Sequence, residues 1–357
     1  MTRLVVAPCD RAAGAANAFA GSSQTGPSLR LRVLLAALAV IALVSPARAQ
    51  FELGEQRAGT TSGQFLKIGL GARAVGLGES FVAVANDPSA IYWNPAGLAS
   101  LQRQEVALSH TGWPGDVNFE HVTWVVPSRH FGGSFGFQFG ALSTEMEETS
   151  ELQPFGTGRN FLFSDMVAGV AYARRWTDKL LVGAGAKYVR EDLGSDVGGP
   201  TTNAFLFDLG SIFYLGYGSV RIATSLSNFG SELRPSGTFV SPYNGDQLAY
   251  DGFDPPIMFR YGLAFEPIEN EQQRLTTSLE FNQPADNSLR SKAGLEWTYQ
   301  RMFSLRGGYN FNADALKLSA GAGVLVRLGQ NQTTVDYAYT DGGALGAISR
   351  LSLGFRF

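Results

Sequence analysis

Apolar residues alternate with polar or small residues along most of the chain after residue 104. Within 131–140 the phenylalanines are separated by glycine, serine and glutamine, and 290–299 has the same alternation. A hydrophobic period of two residues is typical of a β-strand with one apolar face. The pattern predicts fourteen strands, over 104–112, 117–126, 131–140, 161–175, 180–190, 203–215, 219–228, 256–265, 273–281, 290–299, 302–311, 315–328, 332–340 and 347–357.

The connections between these segments alternate in length. Those after the third, fifth, seventh and ninth segments are long, at 141–160, 191–202, 229–255 and 282–289, whereas most of the others are short. Short turns at one end and long loops at the other are typical of outer-membrane β-barrels. We therefore predict an all-β, fourteen-stranded antiparallel transmembrane β-barrel with both termini on the periplasmic side. A β-sandwich or a propeller is the alternative, but neither requires this alternation.

The start of the chain has the three parts of a secretion signal. Arg30 and Arg32 precede an apolar core over 33–44, and Ala47-Arg48-Ala49 follows as a small-x-small cleavage site. A membrane anchor is the alternative, but twelve apolar residues are short for a spanning helix. We predict a leader over 1–49 cleaved after Ala49, an N-terminal plug over 50–103, and a barrel over 104–357 in the outer membrane of a Gram-negative cell.

Composition and charge exclude several classes of protein. The chain is 45% hydrophobic and 17% charged, with 43 glycines among 357 residues, which argues against disorder. Loss of the leader would leave 23 basic and 30 acidic residues, so nucleic acid is not an expected partner. The single cysteine of the chain, Cys9, lies in the leader, and the three histidines lack the spacing of a metal site. We expect no metal, no cofactor and no enzymatic activity.

A plug is expected because fourteen strands enclose more space than their own side chains fill. Residues 61–100 are rich in glycine and alanine and do not alternate. The plug charges Lys67, Arg73, Glu79 and Asp87 could pair with charges on the barrel wall, although these could instead line water. The charges predicted to face inward are Arg260, Glu266, Glu280, Lys292, Glu296, Arg306, Lys317, Arg327 and Asp336.

Three stretches of the plug carry a family resemblance. They read FLKIG from Phe65, GARAVGLGESF from Gly71 and DPSAIYWNPAGL from Asp87. This signature resembles that of the PorV/PorQ family, which is grouped with FadL-like long-chain fatty-acid transporters. The resemblance implies a fourteen-stranded barrel whose N-terminal hatch contains an Asn-Pro-Ala motif. Here the motif is Asn94, Pro95, Ala96 and Gly97, in which Asn94 can cap a turn begun by Pro95, with packing alone as the alternative role.

Two function hypotheses follow from this resemblance. The first is a non-enzymatic component of type IX secretion that binds secreted proteins through their C-terminal sorting domains. The alternative is diffusive transport of a hydrophobic small molecule across the outer membrane. The barrel would contact outer-membrane lipid in either case, and its end at Phe355 and Phe357 resembles a barrel-assembly signal.

Two long loops are the candidate partner surfaces, unless they are only solvated. Residues 145–151 carry four glutamates within the 141–160 connection. The connection 229–255 is rich in aromatic residues, which are enriched at binding interfaces. The residues of this candidate partner loop are Phe229, Phe239, Tyr243, Tyr250 and Phe253.

Overall fold

The computed structural model describes residues 57–149, 152–241 and 243–357. The predicted secretion signal lies outside these residues, and the proposed domain boundaries stay predictions. Within the described ranges, no helix is long and apolar enough to cross a membrane.

Fourteen long antiparallel strands close into one barrel, as predicted. Neighbours along the chain pair with each other, and the first strand pairs with the last to close the ring. Three shorter strands, β8–β10, lie between the seventh and eighth barrel strands; β8 pairs with β6, and β9 pairs with β10. The bounds are β1 Glu105–Trp113, β2 Val117–Ser128, β3 Gly133–Glu147, β4 Asn160–Arg175, β5 Leu180–Asp192, β6 Thr201–Tyr214, β7 Arg221–Gly230, β8 Arg234–Pro235, β9 Thr238–Val240, β10 Gln247–Ala249, β11 Met258–Glu269, β12 Gln273–Pro284, β13 Arg290–Tyr299, β14 Phe303–Asn310, β15 Leu318–Leu328, β16 Asn331–Asp341 and β17 Ala347–Arg356.

Each strand has an apolar outer face and a more polar inner face. In β13, Leu295 and Trp297 are exposed on the outside, whereas Lys292 and Glu296 are buried inside. Successive side chains of a strand point to opposite faces, so the period of two directs one set of residues outward. Apolar-out and polar-in is the arrangement of a transmembrane barrel.

Some of the predicted strand boundaries, and two of the predicted lumen positions, are wrong. Strand β3 continues to Glu147 and pairs with β4 as far as Asn160, so most of the first half of the predicted 141–160 loop is part of this hairpin. Phe229 lies in β7 and not in the following loop, because β7 continues to Gly230 beside β6. Lys317 and Arg327 are predicted to lie inside the lumen, but Lys317 lies just before β15 and Arg327 close to its end, where both side chains are exposed.

The plug fills the barrel with short helical turns. They are a 3-10 turn at Gln64–Lys67, α-helical turns at Ala72–Gly76 and Ala90–Trp93, and a 3-10 turn at Pro95–Ser100. Most of their apolar side chains are buried against the inner wall. Such short helices are not stable alone, so packing against the wall must hold them.

The earliest described residues lie at the opposite end of the barrel from the C-terminus. Strand β17 ends beside the start of β1, at the end with the short turns, and Phe357 N–H donates to Gln104 O. Thr61 instead pairs with Asp254 in the long 231–257 loop. The described part of the plug therefore begins at the long-loop end and crosses the lumen before β1. The expectation for the N-terminus itself falls on residues outside the described ranges.

Candidate functional site: the plug and the lumen

Asn94 joins two parts of the plug to the wall. Its side-chain amide donates to Val82 O at 3.0 Å and to Ser211 O of β6 at 3.1 Å. Its Oδ1 accepts from Ala96 N at 3.1 Å and caps the turn that Pro95 begins. Asn94 is fully buried, and so its three hydrogen bonds replace water that cannot reach it.

Glycines in the wall let the plug backbone approach closely. A methyl group at Gly210 of β6 would lie 2.9 Å from Pro95 Cδ, and one at Gly183 of β5 would overlap the peptide joining Pro95 to Ala96. On the far side of the barrel, Gly308 of β14 leaves no room for a side chain beside Gly78. The plug is therefore held between two opposed parts of the wall.

Arg73 connects the plug to a charge network on β13, β14 and β16. Its guanidinium binds Glu296 through two contacts of 2.9 Å, and it also reaches Asp87 at 3.0 Å. Arg306 binds the same glutamate at 2.7 Å and Asp336 at 2.6 Å. Burial alone would lower the pKa of Arg73, but Glu296 of the wall and Asp87 of the plug itself raise it.

The other two predicted plug charges also pair with the wall. Glu79 lies 2.8 Å from Lys292, and burial opposes its charge, but Lys292 outweighs burial and lowers the pKa of this carboxyl. Lys67 binds Asp286, in the loop after β12, at 2.5 Å. Burial raises the pKa of Asp286, but hydrogen bonds from Lys67, Thr61 and Gln64 lower it by more. The pKa of Asp286 therefore lies below its ordinary value.

An apolar cluster occupies the long-loop end of the lumen on the opposite side. Phe65 and Leu66 of the plug and Leu233 of the long loop cover it from inside. Barrel lumens are usually polar, so an apolar inner wall at this depth is unusual. The wall residues of this cluster are Phe119, Leu142, Val167, Val189, Ala204 and Leu206.

The start of the plug is tied to the long loop above this cluster. Ser62 N–H donates to Asp254 O at 3.1 Å, and Ser62 Oγ donates to Glu191 at 2.7 Å. Gly63 N–H donates to the same glutamate at 2.8 Å. Sequence reasoning missed Glu191, Asp286 and Leu233, because only the folded chain brings these distant segments together.

A cavity of about 470 Å³ lies on the short-turn side of the plug. It extends from Arg356 at the mouth, past the Arg73 network, to His121 on β2. His121 is buried, and its ring contacts Phe119 of the apolar cluster at 5.9 Å between ring centres. The apolar cluster and the cavity therefore meet at this pair of rings.

The aromatic residues of the long loop are divided between two positions. Phe239 and Tyr250 stack at 5.3 Å in the β9–β10 region, and Tyr243 at its tip is 97% exposed. Phe253 pairs through its backbone with buried Leu233 and so holds the base of the loop. Phe355 lies in β17, paired with Val106 of β1.

The fold and the lumen define a plugged β-barrel of the outer-membrane type. Residues 38–174, a little over a third of the chain, match the model of an uncharacterised protein family, UPF0164. No curated protein matches the chain.

Solved structures with a similar fold include two toluene transporters. TbuX of Ralstonia pickettii is 14% identical, with 81% of this chain and 97% of that one covered and a TM-score of 0.51. TodX of Pseudomonas putida is 13% identical over the same shares, with a TM-score of 0.52. The expected similarity to FadL-like barrels is thus confirmed for the fold, including the N-terminal hatch.

Proposed function

We propose that this protein is a FadL-like channel that passes hydrophobic small molecules across the outer membrane of a Gram-negative cell. The observation that supports it is the apolar cluster inside the lumen, under the long loop. An apolar pocket with few polar groups is the usual form of a site for a hydrophobic ligand. The names of the structural relatives TbuX and TodX, both toluene transporters, favour the same class of ligand.

The proposed route begins where Leu233 and Leu66 cover the cluster. A ligand displaces these two side chains and replaces their apolar contacts with its own, so little hydrophobic contact is lost. It then passes between Phe119 and His121 into the cavity on the other side of the plug. The plug itself stays in place, because its ion pairs join it to two buried charges of β13, Glu296 and Lys292, which are expensive to leave without partners.

A disulfide between the plug and the long loop tests this route. Thr61 and Asp254 are bridge partners, and the chain has no cysteine apart from Cys9 of the predicted leader. In T61C/D254C, oxidation should reduce the initial rate of labelled toluene uptake by whole cells to that of cells without the protein. Reduction of the disulfide should restore it.

A matched disulfide within the loop provides the control. Thr238 and Ala249 are partners across β9 and β10, so T238C/A249C joins the hairpin without fixing it to the plug. Uptake by this variant should be the same in both redox states. Equal uptake by oxidised and reduced T61C/D254C, or no uptake above background by the unmodified protein, would contradict the proposal.

A second candidate function is binding of secreted cargo, as in the PorV/PorQ family and type IX secretion. Cargo binding is favoured by the tip of the long loop, where Val240 and Tyr243 are 63% and 97% exposed. A loop tip that contacts no partner is normally polar. Replacement of 238–249 by glycine and serine should then abolish surface display of proteins with C-terminal sorting domains. Unchanged display, with the variant folded, would exclude this function.

A further inference from the structure

Two turns at the short-turn end of the barrel lie side by side. Gly133 at the start of β3 pairs with Arg174 near the end of β4. The β2–β3 turn at 129–132 is therefore a neighbour of the β4–β5 turn at 176–179, because adjacent strands lie about 4.8 Å apart. We call the surface formed by Arg129, Phe131, Arg174, Arg175, Trp176 and Lys179 the basic rim.

The four cations of the basic rim are exposed and unneutralised. Among the described residues, no carboxylate forms an ion pair with Arg129, Arg174, Arg175 or Lys179. Asp178 is the one acidic residue of the two turns, and Arg175 contacts its backbone carbonyl at 3.2 Å and not its carboxylate. This local excess of positive charge contrasts with the negative charge of the whole chain.

Aromatic side chains occupy the outer wall next to these cations. Phe131 and Trp176 are 59% and 62% exposed, and Phe131 contacts Phe135, which contacts Tyr172. The Tyr172 hydroxyl donates to Phe131 O at 2.6 Å and fixes the first turn against β4. Aromatic rings of this kind mark the level of the lipid headgroups around a membrane barrel.

The Arg174 guanidinium lies over the Trp176 ring, 4.8 Å from its centre. This contact orients the guanidinium while leaving its N–H groups free, and a guanidinium pairs well with two phosphate oxygens. Basic residues beside a membrane surface are attracted to anionic lipid headgroups. Orientation, charge and membrane depth therefore favour the same ligand.

We propose that the basic rim binds the phosphate of an anionic phospholipid in the membrane leaflet at the short-turn end. Arg174, which alternates outward on β4 and is oriented by Trp176, contacts the phosphate. Arg129, Arg175 and Lys179 contribute positive charge at the mouth, and Phe131 and Trp176 pack against the upper acyl chains. This inference goes beyond transport, since it concerns the outer wall and involves no residue of the route through the lumen.

Native mass spectrometry of the folded full-length barrel tests the proposal. Phosphatidylglycerol and phosphatidylcholine with the same acyl chains are added separately to the protein in detergent. The unmodified barrel should retain phosphatidylglycerol about tenfold or more over phosphatidylcholine, and R174Q/R175Q should lose this preference. R129Q/K179Q, whose substitutions lie in exposed turn positions, gives a second measurement if the first variant does not fold.

The control variant is R103Q/R327Q, which removes two exposed arginines elsewhere at the short-turn end of the barrel. It should keep the preference, because Arg103 and Arg327 lie outside the basic rim. Equal retention of the two lipids by the unmodified barrel, or an equal loss in R103Q/R327Q, would overturn the proposal. Displacement of the lipid by free glycerol phosphate would also overturn it, since that result indicates a site for soluble phosphate.

Discussion

The two sides of the lumen hold the plug in different ways. On the side of β11–β17, plug and wall meet through ion pairs whose wall partners are buried, such as those of Glu296 with Arg73 and of Lys292 with Glu79. On the side of β2–β6, the long-loop end of the wall meets the plug through apolar contacts, such as that of Phe119 with Phe65, and through hydrogen bonds to Glu191, but through no ion pair among the described residues. There the buried pair Lys187–Asp208 is formed within the wall.

This difference determines which side can open. Separating a buried ion pair leaves two charges without partners, and so the β11–β17 side acts as a fixed support. Separating apolar surfaces has a low cost when an apolar ligand takes the vacated space. A barrel that passes hydrophobic molecules needs both properties, because the plug must seal the lumen before and after each passage.

The largest expected effect is that of E296Q on the charged side. The substitution keeps the shape of the side chain but removes the carboxylate between Arg73 and Arg306. Loss of one partner of a buried ion pair costs about 3–5 kcal/mol of unfolding free energy. Urea unfolding of the refolded barrel measures this cost. The control E145Q, at an exposed position of β3, should leave the free energy of unfolding unchanged. A neutral E296Q would show that the two sides do not differ in this respect.

The second effect concerns the close approach of the plug to β14. G308A should destabilise the barrel by about 1–3 kcal/mol, because its methyl group overlaps the backbone at Gly78. G307A is the matched control, since a methyl group there meets nothing within 4 Å. Protease resistance of the plug reports docking separately from barrel stability, and equal results for the two variants would contradict the close fit.

A conservative change on the apolar side should be better tolerated. L206M keeps the volume and the apolar character of a residue in the wall of the cluster. Such substitutions usually cost less than about 1.5 kcal/mol. Urea unfolding should therefore separate L206M clearly from E296Q, although both changes preserve shape. A cost for L206M equal to that of E296Q would remove the contrast between the two sides.

The smallest effect is a dependence on acid at Asp286. Its pKa is held below its ordinary value, so its bond to Lys67 stabilises the folded state above about pH 4. That stabilisation is lost as pH falls through the folded-state pKa. D286N should cost about 1 kcal/mol of unfolding free energy near pH 6, a figure kept low because Lys67 is partly exposed. The cost should shrink progressively as the pH is lowered below about 4. A difference that is constant with pH would contradict the prediction.

Much of the architecture could be predicted from local patterns. The period of two located all fourteen barrel strands, and alternating connection lengths gave their antiparallel order. Asn94 and Pro95 were recognisable as the start of a turn, because an Asn cap followed by proline is a local arrangement of adjacent residues. Boundaries are less predictable: the sequence pattern places Phe229 in a loop, but whether β7 continues depends on its neighbour β6 and not on its own sequence.

The partners of the plug could not be predicted in this way. Lys67, Arg73 and Glu79 were identified as candidate charges, but Asp286, Glu296 and Lys292 lie more than 200 positions away. For each of these plug charges, several inward-facing wall residues of opposite charge were possible partners. The apolar cluster was also hidden, because its wall residues come from five different strands.

The sequence by itself determined the strands, their inward and outward faces, and the capped turn at Asn94 and Pro95, since each depends on residues only a few positions apart. Only the tertiary structure decided that the plug starts at the long-loop end, that its charges pair with one side of the wall, and that an apolar surface forms on the other. The physical reason is barrel closure: the tilt and register of fourteen strands set which distant residues share a level of the lumen.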